Sequence, residues 1–359
     1  MMKNKMKILY VITGLGLGGA EKVVCDLADQ MVLKGHEVKI AYLTGDKVIT
    51  PKSLNIEIIY LALNGVNSFI PASFRYRELL KKFRPDIVHS HMVHANIFAR
   101  INRIGCAIPK LICTAHNSNE GGKFRMIAYR LTNFLSDFNS NVSQEATDSL
   151  ISKGAFNKNN LTTVYNGIDL NKFKLLKADK KNDEIMFLSV GRFNEQKDYP
   201  NLLHAVTTFH ESLKQKKCMF SIAGDGELRP QIEELIEQLG LKDHVTLLGR
   251  RDDIPQLMQE ADFFILPSAY EGFGLVVAEA MACGAFVIAT NSGGVAEVMG
   301  DTGILVPPQD SEALAAAIQK ALSLSDEQIT QNNIKARKRI EEFFSLEKSV
   351  EKWLEIYEQ

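Results

Sequence analysis

Two glutamates, Glu271 and Glu279, stand in the segment of this chain best equipped to bind an anionic ligand. The segment reads PSAYEGFGLVVAEA and follows an apolar run, Phe263–Leu266, that predicts a buried strand. Two glycines after the first glutamate would let a ligand approach the backbone closely. A helix predicted from about Leu275 would point its N-terminus into the same loop, where a phosphate is stabilised by backbone N–H groups.

The spacing of the two carboxylates sets what they could hold together. Eight residues of continuous helix would separate them by about 12 Å. At that distance one carboxylate could reach a sugar ring and the other a ribose, with phosphates between them. Glu279 lies in an otherwise apolar stretch, LVVAEAMACG, where a carboxylate is costly unless it has hydrogen-bond partners. The alternative is a helix-terminal glutamate and a partly exposed one, with no ligand.

A second loop carries two cations. The residues GRFNEQKD directly follow the predicted strand Ile185–Val190, and they place Arg192 and Lys197 five positions apart. An Arg fork and a Lys point charge suit the two phosphates of a diphosphate leaving group, whose negative charge grows as its bond breaks. The alternative is an exposed basic pair on a surface loop.

A glycine loop, GLGLGG, spans Gly14–Gly19 between a predicted strand, Lys7–Ile12, and a predicted helix, Ala20–Lys34. Its position suits a phosphate, and its letters fit the dinucleotide-binding pattern. No acidic residue ends the second strand, Glu37–Leu43, where a ribose partner would stand, which disfavours nicotinamide or flavin. A structural turn without a ligand stays open.

Histidines follow two further predicted strands. His89, His91 and His94 cluster at the end of Ile87–His89, and His116 follows Lys110–Thr114. The first three have no suitably spaced carboxylate, so packed or cleft-lining side chains are a better interpretation than a metal site. The chain contains no D-x-D triplet, so the sequence predicts phosphate binding without a divalent cation and no cofactor.

Strand-like apolar runs alternate with amphipathic helical segments along almost the whole chain. This alternation predicts parallel sheets with helices on both faces, an α/β class. A length of 359 residues suggests two domains, and the polar run at 174–184 suggests a linker. We therefore predict two doubly wound domains, 1–168 and 169–342, facing across a cleft that holds the site. The segment from Asp326 to the end is predicted to be helical.

Composition adds limits on partners and compartment. Residues 1–168 carry 21 basic and 12 acidic residues, a balance of +9, and the remainder has a balance of −10. A basic first half fits a membrane face or an anionic acceptor, or else is uneven solvated charge. Five cysteines without a C-x-x-C pair fit a reducing cytoplasm. The longest apolar run contains Glu279 and is too short to span a bilayer, so membrane contact is expected to be peripheral. We expect no nucleic-acid partner.

These motifs, taken together, resemble the retaining glycosyltransferases of family 4, including those that build bacterial surface polysaccharide and lipopolysaccharide. The most specific segments are PSAYEGFGLVVAEAMACG and VGRFNEQKDYPNLL, supported by GLGLGGAEK, VYNGID, AGDGELR and LLGRRDDIP in the expected order. The resemblance extends from Met6 to about Pro308. It implies the GT-B architecture of two Rossmann-like domains, with the C-terminal helix, about 343–359, crossing back to an acceptor-binding first domain.

The resemblance also implies a role for each matching residue. Arg192 and Lys197 would hold the donor diphosphate, Glu271 the donor sugar, and Glu279 the ribose. The implied catalytic residues are His116, Arg192, Lys197 and Glu271, and the implied donor-binding residues are Gly18, Gly19, Arg250, Arg251, Phe273, Gly274, Leu275 and Glu279. The anomeric configuration would be retained, without a covalent nucleophile.

The expected reaction moves a hexose or N-acetylhexosamine from a nucleotide-sugar, a UDP-sugar by preference, to a glycan or a polyprenyl-diphosphate-linked acceptor. The expected pathways are those of lipopolysaccharide, O-antigen or capsule. Two other interpretations remain at this stage, a sugar-nucleotide epimerase and a non-catalytic nucleotide-sugar-binding protein. The sequence names neither the sugar, the base nor the acceptor.

Overall fold

The computed structural model describes residues 5–118, 121–175, 184–208 and 217–359. The chain divides into two compact units, Met1–Asn166 with Ser349–Gln359, and Gly167–Lys348. The sequence-based boundaries lie two residues later, after 168, and six residues earlier, at 343. Most of the predicted linker at 174–184 and the end of the helix predicted over 199–214 lie outside the described residues.

The first unit contains a seven-stranded parallel sheet in the order β3-β2-β1-β4-β5-β6-β7. Its strands are β1 Lys7–Ile12, β2 Glu37–Tyr42, β3 Glu57–Tyr60, β4 Ile87–His91, β5 Lys110–Ala115, β6 Phe138–Asn141 and β7 Thr162–Thr163. Its first five helices are α1 Gly19–Leu33, α2 Phe69–Phe83, α3 Val93–Arg103, α4 Lys123–Thr132 and α5 Gln144–Ser152. The chain runs outward from β1 to β3 and then returns to the other side of β1, so strand order reverses between β1 and β4.

The second unit contains a six-stranded parallel sheet in the order β10-β9-β8-β11-β12-β13. Its strands are β8 Ile185–Val190, β9 Cys218–Ala223, β10 Val245–Gly249, β11 Phe263–Leu266, β12 Phe286–Thr290 and β13 Ile304–Val306. Its helices are α6 Tyr199–Thr207, α7 Arg229–Gln238, α8 Ile254–Glu260, α9 Leu275–Cys283, α10 Val295–Met299, α11 Ser311–Leu322 and α12 Asp326–Phe343. Strand order reverses between β8 and β11.

A row of phenylalanines crosses the second sheet on one face. Phe220, Phe187, Phe263 and Phe286 stand in register on β9, β8, β11 and β12. Their ring centroids are 4.5, 4.9 and 5.8 Å apart in that order, and all four rings are buried. Such aromatic pairs add to the stability gained by burying the rings and fix strand register. The loops at the strand ends are therefore held by a rigid sheet.

The C-terminal segment differs from the single helical stretch that the sequence predicts. Helix α12 ends at Phe343, and a separate helix, α13, covers Leu346–Glu358. Between them the backbone pairs with Ile168, whose N–H donates to Phe344 O at 2.8 Å and whose carbonyl accepts from Leu346 N at 2.9 Å. A chain that gives its backbone groups to another segment cannot also continue the i→i−4 ladder, which explains the break.

Candidate donor-binding site and its counterpart in the first unit

The two ligand-binding motifs of the second unit meet at the reversal of its strand order. One loop follows β8 and the other follows β11, and these strands are neighbours in the sheet. The backbone joins the loops directly, because Ala269 N donates to Gln196 O at 2.9 Å. In open parallel sheets this reversal point, at the carboxyl ends of the strands, is where ligands bind.

A buried ion pair links the two loops. Lys197 Nζ donates to Glu271 Oε1 at 2.5 Å, and the exposed fractions of the two side chains are 14% and 9%. Ser268 Oγ donates to the same oxygen at 2.8 Å. Removing two charges from water costs several kcal/mol, and their attraction often no more than balances it. Stability alone therefore explains this pair poorly, and a ligand that uses both charges explains it better.

Arg192 does not share this pair. Its guanidinium bonds Glu227, with Nε at 3.2 Å and a terminal nitrogen at 3.1 Å from the carboxylate, and the Arg192 side chain is 58% exposed. The sequence predicts that Arg192 and Lys197 aim at one point, whereas in the structure each cation has its own carboxylate. An exposed pair of this kind contributes little to stability, so Arg192 can exchange Glu227 for an anionic ligand at small cost.

Close backbone contacts shape the same edge, and the sequence motifs did not single them out. Gly293, which follows β12, has φ +56°, and a Cβ there would lie 1.9 Å from Glu271 O. Gly224, which follows β9, has φ +149°, and a Cβ there would lie 1.8 Å from Gly191 O. A side chain at either position would displace the loop that carries Glu271 or the loop that begins at Gly191. The doubled glycine at 293–294, separated by two residues from the end of β12, was the available sequence signal for the first contact.

Helix α9 places Glu279 and presents its N-terminus beside the Glu271 loop. Gly274 caps the helix with φ +84°, and Phe273 is buried with its ring against Phe344. Leu275 is the first helical residue, so only the last part of the Glu271–Glu279 segment is helical. The rise along the helix from Leu275 to Glu279 is about 6 Å, and the 12 Å separation expected from the sequence does not apply.

Both carboxylates are buried, with 7% of Glu271 and 4% of Glu279 exposed. The expectation of a partly exposed glutamate is therefore wrong, while the binding roles of the two carboxylates stay predictions. One turn beyond Glu279, burial and then the charge of that carboxylate raise the pKa of the Cys283 thiol to about 12. This thiol stays protonated at neutral pH and is not a nucleophile.

Two of the predicted donor-binding residues, Arg250 and Arg251, lie on the exposed edge of the second unit. Arg250 follows Gly249 at the end of β10, and its Nε is 3.9 Å from Asp225. Arg251 forms a two-point pair with Asp253. Both arginines are exposed, and Asp225 O accepts from Phe193 N in the β8 loop at 3.0 Å. The loops after β10, β9 and β8 thus adjoin one another at the same end of the sheet.

In the first unit, the predicted residues lie at the equivalent end of the other sheet. Gly18 caps α1 in an extended conformation, and Gly19 is the first residue of that helix, after β1. His91 ends β4, and His116 directly follows β5. His91 Nδ1 and His116 Nε2 are 2.9 Å apart, so one ring donates to the other.

A chain of neutral polar side chains lies behind this histidine pair. His89 bonds Tyr357 OH and Thr114 Oγ1, both at 2.7 Å, and Tyr357 OH bonds Tyr10 OH at 3.1 Å. Burial lowers the pKa of His89 and of His91, and it lowers the pKa of His116 to about 4. All three rings are therefore neutral at pH 7. Tyr357 belongs to α13, so this network fixes the C-terminal residues to the first sheet. The resemblance implies that this helix crosses back to the first domain, but the sequence did not reveal the bond from Tyr357 to His89.

Across the part of the chain that the structure describes, no group of three or more His, Cys, Asp or Glu side chains is arranged to hold a metal ion. His89 and His91 are buried, as the interpretation of packed side chains expects, whereas His94, the third histidine of the cluster, is exposed. Within the same described ranges, no helix is both long and apolar enough to cross a membrane.

Comparison with known proteins agrees with this geometry. Residues 17–172 match the model of Glycosyltransferase Family 4, and residues 171–341 match the model of Glycosyl transferases group 1. A Campylobacter jejuni protein is 28% identical, with 98% of each chain covered; it is named as an α-1,4-N-acetyl-D-galactosaminyltransferase whose named substrate is a GalNAc-containing glycan on undecaprenol diphosphate. An Escherichia coli UDP-Gal:α-D-GlcNAc-diphosphoundecaprenol α-1,3-galactosyltransferase is 27% identical, over 78% of this chain and 77% of its own.

Among solved structures, HepE of Anabaena in complex with UDP and glucose superposes with a TM-score of 0.82. It is 22% identical to this chain, with 98% of this chain and 99% of that one covered, which establishes a shared fold. The predicted α/β class and GT-B fold, with two Rossmann-like parallel-sheet units, are confirmed. Since the two family models together span residues 17–341, this chain is an enzyme of the family 4 glycosyltransferases.

Proposed function

We propose that this glycosyltransferase moves a hexose or N-acetylhexosamine from a UDP-sugar, with retention of configuration, to a glycan carried on a polyprenyl diphosphate. The observation that carries the proposal is the buried Lys197–Glu271 pair at the strand-order reversal. The names of two relatives support the donor and acceptor classes, since the Escherichia coli enzyme is named as using UDP-Gal and both it and the Campylobacter jejuni enzyme as acting on undecaprenol-linked diphosphates. The product would enter lipopolysaccharide, O-antigen or capsule synthesis.

The ion pair suits a donor with a charged and a neutral part. The ammonium of Lys197 has three hydrogens, so it can keep its bond to Glu271 and also donate to a diphosphate oxygen. The second oxygen of Glu271 remains for a sugar hydroxyl. When the bond from the anomeric carbon to the diphosphate breaks, its electron pair goes to the leaving oxygen, and Lys197 with Arg192 would stabilise that charge.

The remaining donor residues complete this assignment. Backbone N–H groups at Phe273, Gly274 and Leu275, where α9 begins, would meet the diphosphate, and Glu279 would accept hydrogen bonds from the ribose. Arg250 and Arg251 would line the base. Two cations and a helix N-terminus supply the charge for which other enzymes use a divalent metal, so we propose transfer without metal or cofactor.

The first unit supplies neutral groups, and we propose that it binds the acceptor. Gly18 and Gly19 are exposed at the start of α1, where a donor could approach the backbone. His116 is proposed to contact the donor sugar as a neutral hydrogen-bonding partner. All five cysteines are free thiols, four of them buried, which supports a cytoplasmic location.

The test is a panel of UDP-, GDP- and ADP-sugars, each with and without EDTA, offered together with undecaprenyl-diphosphate-linked glycans. We expect a UDP-sugar to raise the melting temperature and to be transferred equally well in EDTA. The configuration of the new linkage, read from the coupling of its anomeric proton in NMR, is expected to match that of the donor. An inverted product would overturn the retaining mechanism, and a donor whose sugar is epimerised without any acceptor would favour an epimerase. Binding without turnover of any acceptor would favour a non-catalytic protein.

A further inference from the structure

One helix of the first unit exposes a row of large apolar side chains that the proposed chemistry does not use. We call this row the α4 stripe, and it consists of Phe124, Ile127, Leu131 and Phe134. Their exposed fractions are 89%, 52%, 66% and 75%. The first three lie on α4 and the fourth on the 3-10 turn that follows it, Asn133–Leu135. Spacings of three, four and three residues put them on one face of the helix.

The opposite face of α4 already supplies its contact with the core. Met126 and Tyr129 are buried, and Tyr129 packs at 5.1 Å against the ring of Phe156. A surface helix normally pairs one apolar face with one polar face, whereas α4 is apolar on both. Neighbouring large side chains that stay in water on one helix face are typical of an interaction site, and single exposed apolar residues are not.

The charges around the stripe select its partner. Lys123, Arg125 and Arg130 lie among the stripe residues, and no acidic residue occurs from Gly121 to Ser136. All three basic side chains are exposed. A helix with aromatic and aliphatic residues on one face and basic residues beside them is suited to the interface of a bilayer with anionic lipids, where each basic residue adds about 1 kcal/mol.

The apolar surface continues onto the adjoining helix. Arg103 near the end of α3 donates to Leu135 O at 2.9 Å, which places that end beside the 3-10 turn. Ile101 and Ile104 there are 36% and 62% exposed. A symmetric contact between two copies of the chain would set the same basic residues against each other, which disfavours self-association.

We propose that the α4 stripe is a membrane-docking surface that inserts its apolar side chains into the interface of a bilayer containing anionic lipid. The proposal concerns where the enzyme sits and does not depend on the donor or on the transfer step. Vesicle binding can therefore fail while sugar transfer in detergent succeeds, which would overturn only the docking surface. If vesicle binding succeeds and sugar transfer fails, only the proposed function is overturned.

The test is sedimentation of the full chain with phosphatidylcholine vesicles, with or without about 30 mol% phosphatidylglycerol. We expect binding to the anionic vesicles that weakens at about 0.5 M NaCl, where surface charges are screened. The double substitution Phe124→Ser/Leu131→Ser should lower the partition coefficient by about tenfold or more, because two inserted side chains are lost. Arg130→Gln should lower it about fivefold on anionic vesicles only.

The matched control is Leu33→Ser, which removes an apolar side chain that is 76% exposed at the end of α1 in the same unit. It should leave vesicle binding unchanged. All variants should keep the wild-type melting temperature and the same rate of transfer to a detergent-dispersed acceptor, because the altered side chains are in water. The proposal is overturned by equal binding of wild type and the double variant, by loss of binding in Leu33→Ser, or by a wild-type dimer that the double substitution converts to monomer.

Discussion

The two sheets place opposite kinds of chemistry at the same topological position. Strand order reverses at β1/β4 in the first unit and at β8/β11 in the second. Polar side chains gather at the carboxyl ends of β4 and its neighbour β5 in the first unit, and of β8 and β11 in the second. In the second unit these side chains are ionised, as in the buried pair of Lys197 and Glu271. In the first unit they are the neutral rings of His91 and His116, hydrogen-bonded at 2.9 Å.

This difference assigns a different ligand to each position. The charges of Lys197 and Glu271 are little exposed to solvent, so they are weakly screened. Lys197 can therefore interact strongly with a diphosphate whose negative charge grows as its bond breaks. Neutral imidazoles add no net charge, and they can exchange hydrogen bonds with uncharged hydroxyl groups. His91 Nε2 has no hydrogen-bond partner among the described residues, so its proton is better placed on Nδ1, donating to His116. His116 then carries its own proton on Nδ1, the tautomer that makes this ring a donor.

The largest expected effect comes from breaking the charged member of the comparison. Lys197→Met removes the cation and leaves Glu271 buried without its ionic partner. We expect transfer to fall about 10³-fold, since a charge that stabilises the leaving group is lost. The free energy of unfolding should also fall by about 3 kcal/mol, because one partner of a buried pair is uncompensated. Steady-state kinetics and denaturant unfolding measure the two effects separately.

The double variant Lys197→Met/Glu271→Gln separates stability from catalysis. Glutamine can still accept from Ser268 and carries no charge, so the free energy of unfolding should return to within about 1 kcal/mol of wild type. Transfer should stay at the level of the single variant.

If Lys197→Met retains transfer within about tenfold of wild type, the ion pair is structural and the site assignment is wrong.

The next effect tests the backbone contact beneath Glu271. In Gly293→Ala the new Cβ would stand 1.9 Å from Glu271 O at a left-handed φ of +56°. We expect a loss of about 3 to 4 kcal/mol in the free energy of unfolding and a transfer rate lowered about 100-fold, because the loop carrying Glu271 must move.

Gly240→Ala is the matched control, since Gly240 also has a left-handed φ, +67°, but nothing lies within 4 Å of its Cβ position. That substitution should cost only about 1 kcal/mol and leave transfer intact. Equal losses in the two variants would show that backbone conformation, and not the approach to Glu271, determines the effect.

The charged site shows how much of the structure could be predicted from the sequence. Lys197 and Glu271 could be predicted because each lies in a loop that follows a strongly apolar strand, and the phenylalanine row shows that those two strands are neighbours in the sheet. Strand β13 was missed, since three residues between Gly303 and Pro307 are too few to show a period. Three further contacts could not be predicted: the approach of Gly293 to Glu271, the Arg192–Glu227 pair, and the bond from Tyr357 to His89. Each joins residues that are far apart in the sequence, and the residue spacing within one segment does not identify such partners.

A pH titration of stability tests the neutral member of the comparison. The pKa of His116 falls from about 6.5 in the unfolded chain to about 4 in the folded unit. Between these values the unfolded state binds more protons, so the free energy of unfolding rises with pH across this window. The contribution of His116 to stability is lost as pH falls from about 6.5 to about 4. The contribution of this ring is at most about 3 kcal/mol.

His116→Asn removes the titrating group and should flatten that part of the profile. Denaturant unfolding from pH 4 to 7.5 measures the difference between the two proteins. Identical slopes would mean that the pKa of His116 is the same in the folded and unfolded states, and the first unit would then not be the neutral counterpart of the second.

The smallest expected effect concerns Glu279, which tests whether the charged site extends along α9 to the ribose. Glu279→Gln keeps the size of a buried side chain and one acceptor oxygen but weakens the hydrogen bonds that a carboxylate accepts. We expect KM for the donor to rise about tenfold with a smaller change in kcat. This is the pattern seen when a lost interaction stabilised the bound substrate and the transition state equally. A 2′- or 3′-deoxyribose donor supplies the control, because wild type and variant should use one of these two donors almost equally. If the variant discriminates both deoxy donors as wild type does, Glu279 is a buried structural carboxylate, and the charged cluster ends at Glu271.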